Sequence, residues 1–154
     1  MNNEYIEKYK KLICPNIEKY LVPTLNNTRE TPTWFIGYLT ESIDGEPVTE
    51  NTNPITIEQA ELYLDSYVER LYQLVNQYCY NEFSFNEQMK YECIVYIIVE
   101  GLDKFLDSIF YRTIKYESFG YFNHYTFHAD FNKWLDTKIK QASLLNHIKR
   151  FFNK

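Results

Sequence analysis

Apolar residues recur at helical spacing along most of the chain, and this pattern predicts three long helices. They cover residues 56–81, 84–112 and 130–152. Apolar side chains that repeat every three or four positions form one stripe of a helix, and that stripe is buried against the rest of the protein. The pattern therefore predicts a mainly α fold, a helical bundle of about three long helices.

Two capping sequences mark the predicted starts of the first and second long helices. Thr56 is followed three residues later by Gln59, and Ser84 is followed by Glu87. At this spacing each of the two side chains can satisfy a backbone amide at the helix start. Apolar residues surround most of the second helix, which is therefore predicted to be the central one.

The first third of the chain, 1–55, follows a less regular pattern. Short helices are predicted over 3–13 and 15–22, because Pro15 can begin a helix and Pro23 ends one. A polar loop then leads into the first long helix. This part of the chain is therefore expected to be irregular, with short N-terminal helices.

Residues 32–43 support two interpretations. A helix is favoured, because Thr31–Pro32 has the residue types of a helix entry. The alternative is a small β element near 33–48 in which the chain turns at Asp44–Gly45, a dipeptide that is common in tight hairpins. The sequence leaves both alternatives open.

Length and composition are those of one globular domain. A chain of 154 residues with 45% hydrophobic and 24% charged residues can bury one core, so a single domain over 1–154 is predicted. The longest apolar run, 94–99, is far shorter than the roughly 20 residues of a membrane-spanning helix. The polar N-terminus does not resemble a secretory signal, and three cysteines do not suit a disulfide framework. We therefore expect a cytoplasmic protein that does not enter membranes.

No motif of a common enzyme chemistry is recognisable in the chain. The glycines are isolated, so neither a phosphate-binding loop nor a dinucleotide fingerprint is present, and the serine-hydrolase elbow is missing as well. Cys14, Cys79 and Cys93 are interpreted as packed thiols. We therefore predict that the chain is not an enzyme and needs no cofactor.

His124 and His128 carry the alternative that involves a metal. Their spacing of four residues places both on one face of a helix, an arrangement found in zinc sites. Aromatic neighbours crowd the two histidines and no glutamate separates them, so no metal site is predicted. A metal-dependent enzyme centred on His124 and His128 is the alternative function.

The first long helix carries an acidic ridge, whose members follow one another at spacings of three, four and four residues. Consecutive carboxylates on such a ridge lie roughly 4.5 to 6 Å apart, which is comparable to the phosphate spacing of a nucleic-acid strand. The ridge could therefore dock on a basic groove, and the competing interpretation is an ordinary solvated face. Its members are Glu58, Glu61, Asp65 and Glu69.

An aromatic connector, residues 116–134, is the least ordinary segment of the sequence. One small domain cannot easily bury so many large rings from one segment, and exposed aromatic side chains anchor many protein interfaces. The alternative is a tyrosine-rich core. The candidate anchors are Tyr116, Phe119, Tyr121, Phe122 and Tyr125.

Charge is divided unevenly along the chain. The segment 130–154 holds six Lys and Arg residues against two Asp, although the whole chain has a net charge of −5. A DNA-binding regulator that uses this last helix is a third alternative, which the overall acidic charge opposes.

These features favour a small acidic module for protein–protein interaction, such as an inhibitor, an immunity protein or an anti-defence factor. The abundance of residues with AT-rich codons points to a low-GC bacterium, a phage or another mobile element. The expected partner is a protein, for example a nucleic-acid-binding protein or a toxin. Direct nucleic-acid binding is not expected, and self-association is left open.

Overall fold

The computed structural model describes residues 4–26, 31–79, 86–115 and 124–152. In this part of the chain the fold is mostly helical, with two small two-stranded sheets, so the mainly α prediction is confirmed. The helices are α1 (Glu4–Ile13), α2 (Ile57–Tyr78), α3 (Glu87–Glu100), α4 (Leu102–Leu106), α5 (Ile109–Lys115) and α6 (His124–Phe152). The strands are β1 (Thr24–Asn26), β2 (Thr33–Phe35), β3 (Ser42–Ile43) and β4 (Glu46–Pro47), and a short 3₁₀ helix covers Ile17–Tyr20.

The chain divides into two compact units, 1–71 and 72–154, and the division falls within α2. The first unit contains α1, the four strands and most of α2. The second unit contains the end of α2 and the helices α3 to α6. The single domain expected from the sequence stays a prediction.

The capping box at the start of α2 has the expected geometry. Thr56 Oγ1 accepts a hydrogen bond from the Gln59 amide at 3.1 Å, and Gln59 Oε1 accepts one from the Thr56 amide at 2.9 Å. The predicted apolar stripe is buried as well, at Ala60, Leu64 and Val68. Sequence and structure therefore agree on where this helix begins and which face it buries.

Replacing Thr56 by alanine is expected to lower the free energy of unfolding by about 1 kcal/mol, because a helix start would lose its side-chain cap. Thr137 is the matched control, since its hydroxyl donates to the Lys133 carbonyl on the exposed surface of α6. Thr137→Ala should be neutral or slightly stabilising, since alanine is the better helix former. Urea unfolding of both variants measures the difference, and equal costs would contradict the capping role.

The predicted helix over 32–43 is wrong, and the β alternative is correct. β1 pairs antiparallel with β2, and an isolated bridge joins Ile36 to Thr40. Gly37 and Leu39 have positive φ values of 63° and 61°, which a right-handed helix cannot contain. A Cβ atom on Gly37 would lie 3.0 Å from Ala60 Cβ, so close packing against α2 also requires glycine at this position.

The chain turns at Asp44–Gly45, as the β alternative expects. β3 and β4 pair antiparallel on either side of it, with Ile43 opposite Glu46. Asp44 has a φ of 53° and Gly45 a φ of 83°. Two central residues with positive φ match the twist of short hairpins, which is why this dipeptide is common there.

The single helix predicted over 84–112 is wrong, because the chain forms α3, α4 and α5 instead. Gly101 separates α3 from α4, with a φ of 97° and a ψ of 158° that end the helical path. At the next break the Ser108 hydroxyl accepts a hydrogen bond from the Tyr111 amide and donates one to the Phe105 carbonyl. Local serine hydrogen bonds of this kind compete with helix continuation.

The ends of the other predicted helices also differ from the structure. Asn86 caps α3 by accepting from the Met89 amide at 2.9 Å, whereas the predicted cap, Ser84, lies outside the described residues. The last helix begins at His124 rather than at residue 130. Among the described helices only α2 and α6 exceed 20 residues, so the predicted trio of long helices is not what forms.

Aromatic rings fill the core of the second unit between α3, α5 and α6. The Tyr96 ring lies 4.7 Å from Trp134 and 5.2 Å from Phe110, measured between centroids. Phe127 and Phe131 of α6 are 3% and 1% exposed and also pack on Phe110. Tilted and edge-on ring pairs of this kind stabilise a core beyond the area that they bury.

Candidate functional site

The exposed face of α2 combines the acidic ridge with an exposed leucine. Glu58 and Glu69 are exposed, Asp65 is half-buried, and Leu62 is 64% exposed. Leu62 follows Glu58 by four residues and precedes Asp65 by three, so the helix places it among the carboxylates. Sequence reasoning missed Leu62, although its position on the face opposite the apolar stripe was available from the spacing alone.

Glu61 belongs to an interaction inside the first unit rather than to the exposed face. Its Oε2 lies 2.6 Å from Lys10 Nζ of α1, and its Oε1 accepts a hydrogen bond from the Tyr38 hydroxyl at 3.0 Å. Lys10 also contacts Glu7 at 3.2 Å. Glu61 therefore joins α1, α2 and the segment after β2, and its role as a docking residue stays a prediction.

Burial and the neighbouring carboxylates shift the pKa values of Lys10 and Tyr38. Burial alone would lower the pKa of Lys10, but the carboxylates of Glu61 and Glu7 outweigh it and raise the pKa. Burial, together with the hydrogen bond to Glu61, raises the pKa of Tyr38 to about 12. Lys10 therefore stays charged and the Tyr38 hydroxyl stays protonated throughout the neutral pH range.

A second polar group lies inside the second unit, where Glu92 of α3 contacts His128 of α6. Glu92 is fully buried, and its Oε1 makes a short contact with His128 Nδ1. Among the described residues, no group forms a hydrogen bond with the other carboxyl oxygen, Oε2. The His128 side chain is 20% exposed. The pair thus connects two helices across an otherwise apolar region.

The environment of Glu92 favours its neutral form. Burial raises the pKa of Glu92 to about 8, since no opposing charge compensates for the lost hydration. At neutral pH the carboxyl group is therefore protonated, and its O–H donates to His128 Nδ1. The remaining oxygen, Oε2, is then a carbonyl oxygen, which is less costly to leave without a partner than an ionised oxygen.

The alternative metal site at His124 and His128 stays a prediction. His128 Nδ1 is engaged with Glu92, and the side chain of His124 lies outside the described part of the chain. Within that part, no three His, Cys, Asp or Glu side chains meet in a way that could hold a metal ion.

The proposed anchors of the aromatic connector fall largely outside the described residues. Tyr116, Phe119, Tyr121 and Phe122 belong to 116–123, and the side chain of Tyr125 is not described either. The later rings of the connector lie in α6, where Phe127 and Phe131 are core residues. The core interpretation is therefore correct for these two rings.

Two further sequence features can be located in the structure. Lys138 of the basic last helix contacts Glu100 of α3, so one of its cations already has a partner within the second unit. The three cysteines are buried and form no disulfide, as expected of packed thiols. Burial raises the pKa of the Cys14 thiol to about 12 and raises that of Cys93 strongly, which leaves both thiols protonated and unreactive.

No known protein family, characterised protein or solved structure matches this chain. Among the described helices, none is both long enough and apolar enough to cross a membrane.

Proposed function

We propose that the protein acts by binding another protein through the exposed face of α2. The contact surface consists of Glu58, Leu62, Asp65 and Glu69. It fits a small interaction module, such as an inhibitor, an immunity protein or an anti-defence factor of a mobile element. Glu61, which the sequence places on the same ridge, is not part of this surface.

The position of Leu62 is the observation that supports this proposal. A single exposed leucine is common on protein surfaces and has no meaning by itself. Leu62, however, is the most exposed of the large hydrophobic side chains in the described residues, and carboxylates lie one helical turn away on either side of it. An apolar centre with a charged rim is the usual anatomy of a protein interface.

The charge of this face defines the chemistry of the partner. Carboxylates at a spacing of 4.5 to 6 Å, set roughly by the helical rise, complement a row of Lys and Arg side chains. Such rows line the grooves of nucleic-acid-binding proteins. The expected partner is therefore a basic protein whose groove offers a small apolar pocket for Leu62, and occupation of that groove would exclude nucleic acid.

Charge reversal tests the electrostatic part of this proposal. A variant with Glu58→Lys and Glu69→Lys should associate with the partner at least tenfold more slowly, because rim charges act mainly on encounter. The control is Asp103→Lys with Asp136→Lys, which makes the same net charge change at exposed positions of α4 and α6. Capture from a host lysate would supply the partner, and biosensor kinetics at two salt concentrations would give the rates.

Leu62→Ala tests the apolar part of the surface. The dissociation rate should rise about tenfold, which corresponds to roughly 1.4 kcal/mol for one lost apolar anchor. Thermal melting should be unchanged, because the side chain is largely exposed. Equal association rates for the two charge-reversed variants, together with unchanged dissociation of Leu62→Ala, would refute binding through this face.

A further inference from the structure

The contact between Glu92 and His128 joins two helices through groups that can lose a proton. Glu92 lies in the middle of α3, and His128 lies in the second turn of α6. Their side chains contact each other directly, and the carboxyl group is fully buried. A polar contact within an apolar core therefore links the two helices at Glu92 and His128.

Among the described residues, no other charged group shifts the pKa of the Glu92 carboxyl group. α3 contributes Cys93, the end of α2 contributes Cys79, and α6 contributes His128. Burial, before any other cause, raises the pKa of Cys93 strongly, so this thiol carries no charge at neutral pH. The charged residues of α4 and α5 are exposed, namely Asp103, Lys104, Arg112 and Lys115. On α6, Asp130 and Lys133 are exposed, and Lys138 contacts Glu100.

Loss of the shared proton would leave an ionised oxygen in this environment. Glu92 Oε2 has no hydrogen-bond partner among the described residues, so the negative charge would be stabilised only through His128. A buried carboxylate with one partner is costly, and the cost falls if water can enter. The simplest way to admit water is to separate α6 from α3 near His128, which is already partly exposed.

We propose that Glu92 and His128 form a proton-dependent latch that holds α6 against α3, and that loss of their shared proton loosens α6. The observations that carry this are the buried contact, the oxygen without a partner and the partial exposure of His128. Loosening α6 would expose the aromatic rings that pack between the helices. The latch is independent of the α2 face, which lies in the first unit.

Trp134 reports directly on this movement. It lies on α6, roughly one and a half turns after His128, and its ring packs in a tilted arrangement against Tyr96 of α3, with 4.7 Å between the ring centroids. The chain contains one other tryptophan, Trp34, in the first unit. Trp34→Phe therefore leaves Trp134 as the sole tryptophan. Burial first, and then the charge of Glu100, raises the pKa of Tyr96, so this neighbour keeps its proton to higher pH than an exposed tyrosine does.

The same two helices provide a matched control. Glu100 of α3 contacts Lys138 of α6, and this ion pair is partly exposed. Partial burial opposes ionisation of Glu100, but the ammonium groups of Lys138 and Lys104 lower its pKa overall. Glu100 therefore stays ionised across the neutral and alkaline range. Glu100→Gln removes a helix-to-helix contact without removing the proton-dependent one.

The experiment measures Trp134 emission and acrylamide quenching between pH 6 and 9.5 in the Trp34→Phe protein, with far-UV circular dichroism in parallel. We expect a reversible red shift and at least a twofold rise in quenching around pH 8, with unchanged helix content. Glu92→Gln should abolish the transition, because its amide can donate to His128 at every pH. Glu100→Gln should leave the midpoint unchanged.

Three outcomes would overturn the latch. They are the absence of a transition below pH 9.5, its persistence in Glu92→Gln, and a parallel loss of circular dichroism, which would indicate unfolding of the whole protein. Hydrogen exchange on the unsubstituted chain gives an answer that does not depend on any variant. Amides of α6 near His128 should lose protection at pH 9 after correction for the intrinsic rate, whereas those in α1 should not.

Discussion

Glu92→Gln is expected to make the protein more stable at alkaline pH than the unsubstituted chain. Glutamine has the shape and the hydrogen-bond donor of the protonated acid but cannot ionise. Relative to the original protein, the free energy of unfolding of the variant should therefore rise with pH. The change should reach roughly 4 kcal/mol between pH 4.5 and 9, because a tenfold change in an ionisation equilibrium corresponds to about 1.4 kcal/mol.

The sign follows from proton binding. The folded protein keeps a proton on Glu92 up to a pKa of about 8, whereas the unfolded chain releases it near the ordinary value of 4.5. The stabilisation from this group is therefore complete below pH 4.5, and it is lost as the pH rises to about 8. Above that pH the loss is constant. Glu100, whose pKa is lowered, loses its stabilising effect only in acid, outside this window.

Urea unfolding at five pH values between 5 and 9 gives the measurement for the original chain, Glu92→Gln and Glu100→Gln. The difference between Glu92→Gln and the original chain should grow with pH up to about 8 and then level off. The difference for Glu100→Gln should be nearly flat over the same range. A flat difference for Glu92→Gln would show that the buried carboxyl group ionises normally in the folded protein.

The sequence predicts the structure best where a local capping signal agrees with the helical spacing of the apolar residues. Thr56 and Gln59 define the start of α2, and the same period places Ala60 and Leu64 in the core. Capping and burial are both determined within a few residues of the chain. Agreement between local signals and the final fold is what makes such a segment predictable.

The sequence misled where tertiary packing determines the backbone. Gly37 is in a left-handed conformation because α2 approaches it closely at Ala60, a contact between positions 23 residues apart. No local pattern contains that information, and Thr31–Pro32 by itself resembles a helix entry. Gly101 is different, since an isolated glycine inside an apolar helical pattern is a recognised helix breaker. The helical spacing of apolar residues over 84–112 nevertheless favours one continuous helix across Gly101.

The candidate sites also have one part that local spacing predicts and another that depends on tertiary packing. The acidic ridge could be predicted from spacing, but the partners of Glu61 come from α1 and from the segment after β2, which the sequence does not place nearby. Glu92 was missed although it is an acidic residue directly before a run of Cys, Ile and Val in the most apolar helix. A charged residue in such a position signals a buried polar contact.

Glu61→Lys is expected to lower the free energy of unfolding by about 2 kcal/mol, although it belongs to the acidic ridge by sequence. The substitution removes the partner of Lys10 and the acceptor of the Tyr38 hydroxyl, and it places a second cation beside Lys10. A lost hydrogen bond to a charged group costs about 1.5 to 3 kcal/mol. The Glu61 side chain is 38% exposed, so solvent screening keeps the cost at the lower end of that range.

Glu58→Lys is the matched control, since it makes the same charge change one turn earlier on the exposed face of α2. Its cost should stay below about 1 kcal/mol, because Glu58 is exposed and loses mainly the interaction of its charge with the start of α2. Glu61→Gln separates the two interactions, because its amide oxygen can still accept from Tyr38 while the charge opposite Lys10 is lost. We therefore expect an intermediate cost for Glu61→Gln in urea unfolding. If Glu61→Lys costs no more than Glu58→Lys, Glu61 does not hold α1 to α2. Glu61 would then be a candidate docking residue on the α2 face.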